Sequence, residues 1–195
     1  MNFKIMPTRE QALELFKRYN KSESLTKHAF AVEGVMKHFA RLYNEDEEKW
    51  GVIGLIHDLD YEKYPDQHCI KSEEILKEEN WPEEYIHAVM SHAWGICTDI
   101  EPTHQMEKIL FATDELTGLI TTSVLVRPDK NIHNLKLKSV KKKWKDKRFA
   151  AKIDRSIIQK GADMLNMPIE ELIEETIKAM QAVAPALKLD GERQQ

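Results

Sequence analysis

The chain has 195 residues, 42% of them hydrophobic and 32% charged, and a net charge of −4. That is enough for one domain with a substantial core, and no stretch approaches the eighteen or more apolar residues of a membrane span. Two cysteines, Cys69 and Cys97, make no disulfide framework and neither has a CxxC partner, so a reducing, cytoplasmic setting is expected.

Glycine and proline are scarce, at seven each, which favours helix throughout. The opening "MNFKIMPTREQALELF" carries charges where a leader peptide would need an apolar run. Within it, Thr8 followed by Gln11 is a capping-box pattern, and Ala12, Leu15, Phe16 and Tyr19 have helical spacing. A second helix is predicted over about 22–43, with Ser22 as N-cap. Its inward stripe is Leu25, Ala29, Val32, Val35, Met36, Phe39 and Tyr43, and the spacing puts His28 on that same face. A third helix, over about 47–59, carries Trp50, Ile53, Ile56 and His57, and Gly51 and Gly54 let another helix come close. A fourth is predicted over about 66–79 and a fifth over about 81–92, with Pro82 in its first turn. The sixth starts near Thr103 and carries Ile109, Leu110, Thr113, Asp114 and Leu116.

"VRPDKNIHN" is a connector. Residues 136–152 then hold nine Lys/Arg and one Asp, net +8, which leaves −12 on the rest of the chain. Such a segment is either a solvated helix face or a site for an anion, a phosphorylated ligand or nucleic acid. Two further helical stretches follow, the last opened by Pro168 and kinked or ended by Pro185. Only "ITTSVLV" offers a strand alternative, so the predicted fold is all-α, a single domain over 1–195.

The dipeptide His57-Asp58 says little alone, but its company matters. His28 faces inward on the preceding helix, and Asp114 sits in the apolar run "ILFATDELTGLI", where a carboxylate is costly to bury unless paired or metal-bound. Four inward-facing polar residues, His28, His57, Asp58 and Asp114, thus come from three different helices. Mixed imidazole and carboxylate donors suit borderline or hard divalent metals.

In order and helical context, His28 in "LTKHAFAVE", His57-Asp58 in "LIHDLD" and Asp114 in "FATDEL" resemble the signature of the HD-domain superfamily, HDIG-type metal-dependent phosphohydrolases. The resemblance implies an HD-domain helical bundle over about 22–128, with extra C-terminal helices over about 129–195 and a metal site at the bundle's centre. Some branches add two histidines and a second metal, and His68 in "HCIKSEEIL" and His92 in "AVMSHAWG" match those positions. On that match Asp58 bridges, His28, His57 and Asp114 hold one metal, and His68 and His92 the other. Read without the resemblance, His68 is an exposed helix-start residue and His92 a helix C-terminal histidine favoured by the dipole. One departure is clear: many members continue His-Asp-Ile-Gly-Lys, and here the run is His57-Asp58-Leu59-Asp60-Tyr61.

The implied activity is hydrolysis of a phosphoester, such as a nucleotide, by metal-activated water, with one or two divalent metals drawn from Mn, Fe, Zn, Co, Ni or Mg. Asp58 and Glu62 are the catalytic candidates. Arg127, Lys63, Lys141 and Lys142 are the candidates for binding a small phosphorylated substrate, with Arg127 favoured for its fork geometry. The alternatives are a mixed-valence di-iron oxygenase and a non-catalytic ligand-binding module. A nucleic-acid partner is not expected, since only residues 136–152 speak for one. His38, His87, His104 and His133 read as surface or partly packed, Trp81 and Trp94 as core, and the cysteines are given no catalytic role. Oligomeric state is left open.

Overall fold

A computed structural model describes residues 6–191. Part of the charged N-terminal opening, residues 1–5, lies outside the described residues, as do residues 192–195. The described residues form ten α-helices and no strand. They are α1 (Arg9–Tyr19), α2 (Glu23–Tyr43), α3 (Glu47–Ile56), α4 (Ile70–Glu78), α5 (Glu83–Ser91), α6 (Gln105–Leu125), α7 (Leu137–Lys145), α8 (Arg155–Met164), α9 (Ile169–Ala182) and α10 (Ala184–Leu187). Short 3-10 turns occupy Pro65–Gln67 and Ile132–Asn134. The doubtful strand at "ITTSVLV" is absent, as the all-α reading expects: α6 runs through it to Leu125, and Thr122 bonds back to the Gly118 carbonyl at 2.9 Å as a helical threonine does.

Two helices of 21 residues each, α2 and α6, make the centre. The inward stripe of α2 is as the spacing requires, with Ala29, Val32, Val35, Met36 and Phe39 buried. Helix α3 is buried all round from Trp50 to Ile56, because α1, α2 and α5 enclose it. A Cβ on Gly54 would lie 3.0 Å from the Val32 carbonyl oxygen, so glycine is what lets α2 and α3 close up. On the other side α8 lies along α6, and a Cβ on Gly161 would stand 2.5 Å from Ala112 Cα. Helix α9 packs on both α2 and α6.

Helix ends follow the capping chemistry. Thr8 and Gln11 form the full capping box, and Ser22 and Asp46 cap α2 and α3. Helix α6 opens on an unpredicted box, His104 with Glu107. Pro168 stands just before α9, and Pro185 falls in the first turn of α10, where α9 has ended. Two boundaries differ from the periodicity reading. Helix α3 stops at Ile56, and residues 57–63 continue as turns. Helix α4 starts at Ile70, because Cys69 takes φ +70° and breaks the run from the 3-10 turn. The C-terminal tail folds back, and the Ile132 amide donates to the Leu189 carbonyl at 2.7 Å.

Candidate metal centre

Helices α3 and α5 each end on a histidine, and both ends use the same device. The last carbonyls of a helix lack intrahelical donors. At α3 the His57 Nδ1–H donates to the Gly54 carbonyl at 2.7 Å, and at the end of α5 the His92 Nδ1–H donates to the Val89 carbonyl. Each bond anchors the ring through Nδ1 and turns Nε2 away from the helix end. His28, in α2, gives its Nδ1–H to the Thr117 hydroxyl oxygen at 3.3 Å, while that hydroxyl donates to the Asp114 carbonyl at 2.8 Å.

His68 is held by a residue the sequence reading treated only as a departure. Asp60, fully buried, accepts the His68 Nδ1–H at 2.7 Å on one oxygen and the Ser72 amide at 2.8 Å on the other. Cys69 precedes α4 without capping it, so Asp60 caps that helix from across the turn. One carboxylate therefore starts α4 and aims His68. An acidic residue two places after the doublet and eight before a second histidine was the available signal.

The four Nε2 atoms converge on two carboxylates. His28 Nε2 is 2.9 Å from Asp114 Oδ1 and 3.2 Å from His57 Nε2, and His57 Nε2 is 3.4 Å from Asp114 Oδ1. Asp58 Oδ2 lies 3.5 Å from His57 Nε2 and 3.7 Å from His28 Nε2. Its other oxygen, Oδ1, lies 3.5 Å from His68 Nε2 and 3.6 Å from His92 Nε2. Two donors each about 2.0–2.1 Å from one metal are about 2.9 Å apart at a right angle and about 3.4 Å apart at the tetrahedral angle. The separations among His28, His57 and Asp114, 2.9–3.4 Å, fall in that range and those to Asp58, 3.5–3.7 Å, lie just above it, so this donor set fits a divalent metal. Two groupings have metal-ligand spacing, His28 with His57 and Asp114, and His68 with Cys69 and His92.

The electrostatics agree. Burial opposes ionisation of Asp58, but His57 and then His92 outweigh it and hold the carboxyl below its usual range. Burial is likewise outweighed at Asp114, by His57 and His28. Burial depresses His57, yet Asp58 and Asp114 lift it above its ordinary value. Burial depresses His68 too, and Asp60 and Asp58 lift it. Burial, then Asp60, push the Cys69 thiol up. Glu115, unnoticed in the sequence, is half-buried beside Asp114, and burial with that neighbour pushes its carboxyl up to about 7.

The other site expectations fall elsewhere. Glu62 accepts the backbone amides of Lys21 and Ser22 on one carboxylate oxygen, at 2.7 and 2.8 Å, tying down the approach to α2. Lys63 lies over the rings of Tyr19 and Tyr64. Arg127 is engaged by both oxygens of Asp129, at 2.9 and 2.8 Å. Lys141 pairs with Glu170 at 2.8 Å, and Lys141 and Lys142 line a groove of about 770 Å³ formed entirely by residues of 136–145. His38 and His87 bind Glu175 and Glu107 singly. Trp81 is core, whereas Trp94 is half-buried with Lys160 Nζ 3.3 Å above its ring.

A separate cleft of about 1300 Å³ reaches His28. Its walls are the first turns of α2, the C-terminal half of α6, the 128–131 loop and the 187–191 tail. Three lysines line it: Lys27, Lys130 and Lys188. Lys27 and Lys188 share Glu23, at 3.0 and 2.6 Å, and these bonds hold the Glu23 carboxyl down at about 2.

An all-helical bundle with histidines and aspartates gathered at its centre has the donor groups to hold a metal ion. The comparison with family models is specific: residues 25–119 match the HD domain, a span that contains all six of His28, His57, Asp58, His68, His92 and Asp114. Residues 25–119, just under half of the chain, thus carry an HD domain, a domain whose bearers are generally metal-dependent phosphohydrolases, though some are non-catalytic. The match is to the HD domain as such; the His-Asp-Leu-Asp run at 57–60 departs from the HDIG form. No solved structure matches the chain.

Proposed function

We propose that the protein is a metal-dependent phosphohydrolase acting on a small phosphoester of nucleotide size. The observation that carries this reading is the division of Asp58. One carboxylate oxygen faces His28 and His57, the other faces His68 and His92, at 3.5–3.7 Å throughout. On this reading His28, His57 and Asp114 hold one divalent metal, His68 and His92 hold a second, and Asp58 is shared.

When bound, such metals supply a water acidified toward neutral pH and a Lewis acid for a phosphoryl oxygen. The chain's own part is preorganisation. Each imidazole is anchored through Nδ1, which aims its Nε2 at the two carboxylates. The neighbouring imidazoles outweigh burial and keep Asp58 and Asp114 ionised. The cleft beyond His28 adds Lys27, Lys130 and Lys188 to Arg127, Lys63, Lys141 and Lys142 as candidates for meeting the remaining negative charge of the substrate.

The test is metal content per chain by elemental analysis on untagged protein, wild type beside Asp58→Ala, followed by a panel of phosphomonoesters and diesters. Two equivalents in the wild type, both lost with turnover in the variant, support the reading. One equivalent restricts it to the His28, His57, Asp58 and Asp114 half. Oxygen uptake by the iron-loaded protein without phosphoester turnover moves it to the oxygenase alternative. No metal after reconstitution overturns it.

A further inference from the structure

Cys69 is fully buried, and its thiol makes no hydrogen bond among the described residues. Its sulfur and one ring nitrogen each of His68 and His92 all lie within 4.8 Å of one another. The backbone there is unusual. Cys69 takes φ +70° and ψ −47°, close to the rare, strained γ-turn conformation, where a residue without Cβ would be the ordinary choice. Buried cysteine is common as a small apolar filler. A filler, however, gains nothing from a strained backbone, and strain of this kind gathers where a side chain must be delivered to one spot. Here the chain has to reverse between the 3-10 turn and α4 while sending His68 and Cys69, adjacent residues, to the same side.

We infer that Cys69 is a thiolate ligand of the metal held by His68 and His92, giving that half of the centre a two-nitrogen, one-sulfur set beside the Asp58 oxygen. The inference rests on the metal-centre reading above. Forming the metal–sulfur bond releases the thiol proton to solvent, so no oxidant or reductant is needed. The two halves then differ in hardness. His28, His57 and Asp114 offer nitrogen and oxygen alone, whereas a thiolate selects zinc or ferrous iron and disfavours magnesium. Zinc or iron is therefore the expected occupant of the Cys69 half.

The experiment loads the full chain with Co²⁺ and counts bound cobalt by elemental analysis. Visible ligand-field bands report the metal in either half, and a near-ultraviolet thiolate-to-cobalt charge-transfer band reports sulfur ligation. The band is expected in the wild type and in Cys97→Ser, and is expected to vanish in Cys69→Ser while ligand-field bands persist. Bound cobalt with ligand-field bands and no charge-transfer band in the wild type overturns the inference and leaves the metal centre standing. A band that survives Cys69→Ser, or disappears only in Cys97→Ser, also overturns it. Failure of cobalt to bind the wild type removes the metal-centre reading and this inference together. The wild-type spectrum decides the point even if Cys69→Ser does not fold, and far-ultraviolet circular dichroism monitors that.

Discussion

Asp60→Asn perturbs the centre with the least change of shape. The carboxylate accepts two N–H groups, from His68 Nδ1 and from Ser72, one on each oxygen. Asparagine has one acceptor oxygen, so its NH₂ must face a second N–H. One buried donor is left unpaired, at about 1–3 kcal/mol. For a domain of this size that lowers Tm by about 2–4 °C per kcal/mol. The more telling effect is on the ligand. Removing the partner that orients a metal-binding histidine weakens metal affinity about 10–100-fold, or about 1.4–2.7 kcal/mol at 1.36 kcal/mol per decade. Because Asp60 touches His68 and not His28, the loss should fall on one equivalent. Competition against a chelator, followed equivalent by equivalent, reads this directly. The expected result is a tight equivalent unchanged and the other weakened within that range. Equal weakening of both equivalents, or of neither, refutes the assignment of Asp60 to the His68 half.

Gly54→Ala places a Cβ 3.0 Å from the Val32 carbonyl oxygen and 2.8 Å from Met36 Cγ, so α2 and α3 must part, at about 1–3 kcal/mol; calorimetry should show a lower Tm, with weaker binding at the His28 and His57 half. Arg155→Met removes a guanidinium that donates to the carbonyls of Lys143, Trp144, Asp146, Phe149 and Ile153, and hydrogen exchange over 143–153 should quicken by the equivalent of about 1.5–3 kcal/mol. Glu107 is pushed up by burial but more strongly down by the His104 and Thr103 amides and by His87, so its folded carboxyl lies below its ordinary value. A depressed folded value contributes stability above the unfolded value of about 4.3, lost as pH falls through the folded one; thermal melts of Glu107→Gln should therefore fall below wild type at neutral pH and approach it under acid.

The sequence reading reached His28, His57, Asp58 and Asp114 because each sits where a local rule operates. Helical spacing turns His28 inward, and an apolar run surrounds Asp114. What it missed depends on how the chain reverses after α3. The residues just past the doublet, Asp60 and Glu62, look alike in the sequence: acidic groups in a charged, aromatic stretch. The structure buries Asp60 against the start of α4 and spends Glu62 on the start of α2. No periodicity distinguishes them, because their partners lie eight or more residues away along the chain and on different elements. The cleft lysines were out of reach for the same reason. Lys188 comes beside Glu23 only when the tail folds back onto the Ile132 amide, a contact between segments more than fifty residues apart.

The reason this chain ends helices on metal-capable histidines lies in the terminal carbonyls. A histidine in the last turn can satisfy one of them through Nδ1, and in doing so it presents Nε2 beyond the helix end, where two helices can aim at a common point. His57 and His92 both do this, from α3 and α5. The orientation of half the imidazoles is thus a by-product of helix termination and needs no partner from elsewhere. His28 and His68 lie outside that arrangement and need outside partners, Thr117 and Asp60. It follows that the proposed centre has two kinds of candidate ligand. Changes that leave α3 and α5 ending where they do should spare His57 and His92, whereas the set of His28 and His68 depends on contacts formed only when α2, α4 and α6 are packed. Partial unfolding of those helices should therefore weaken metal binding before α3 and α5 lose their helical structure.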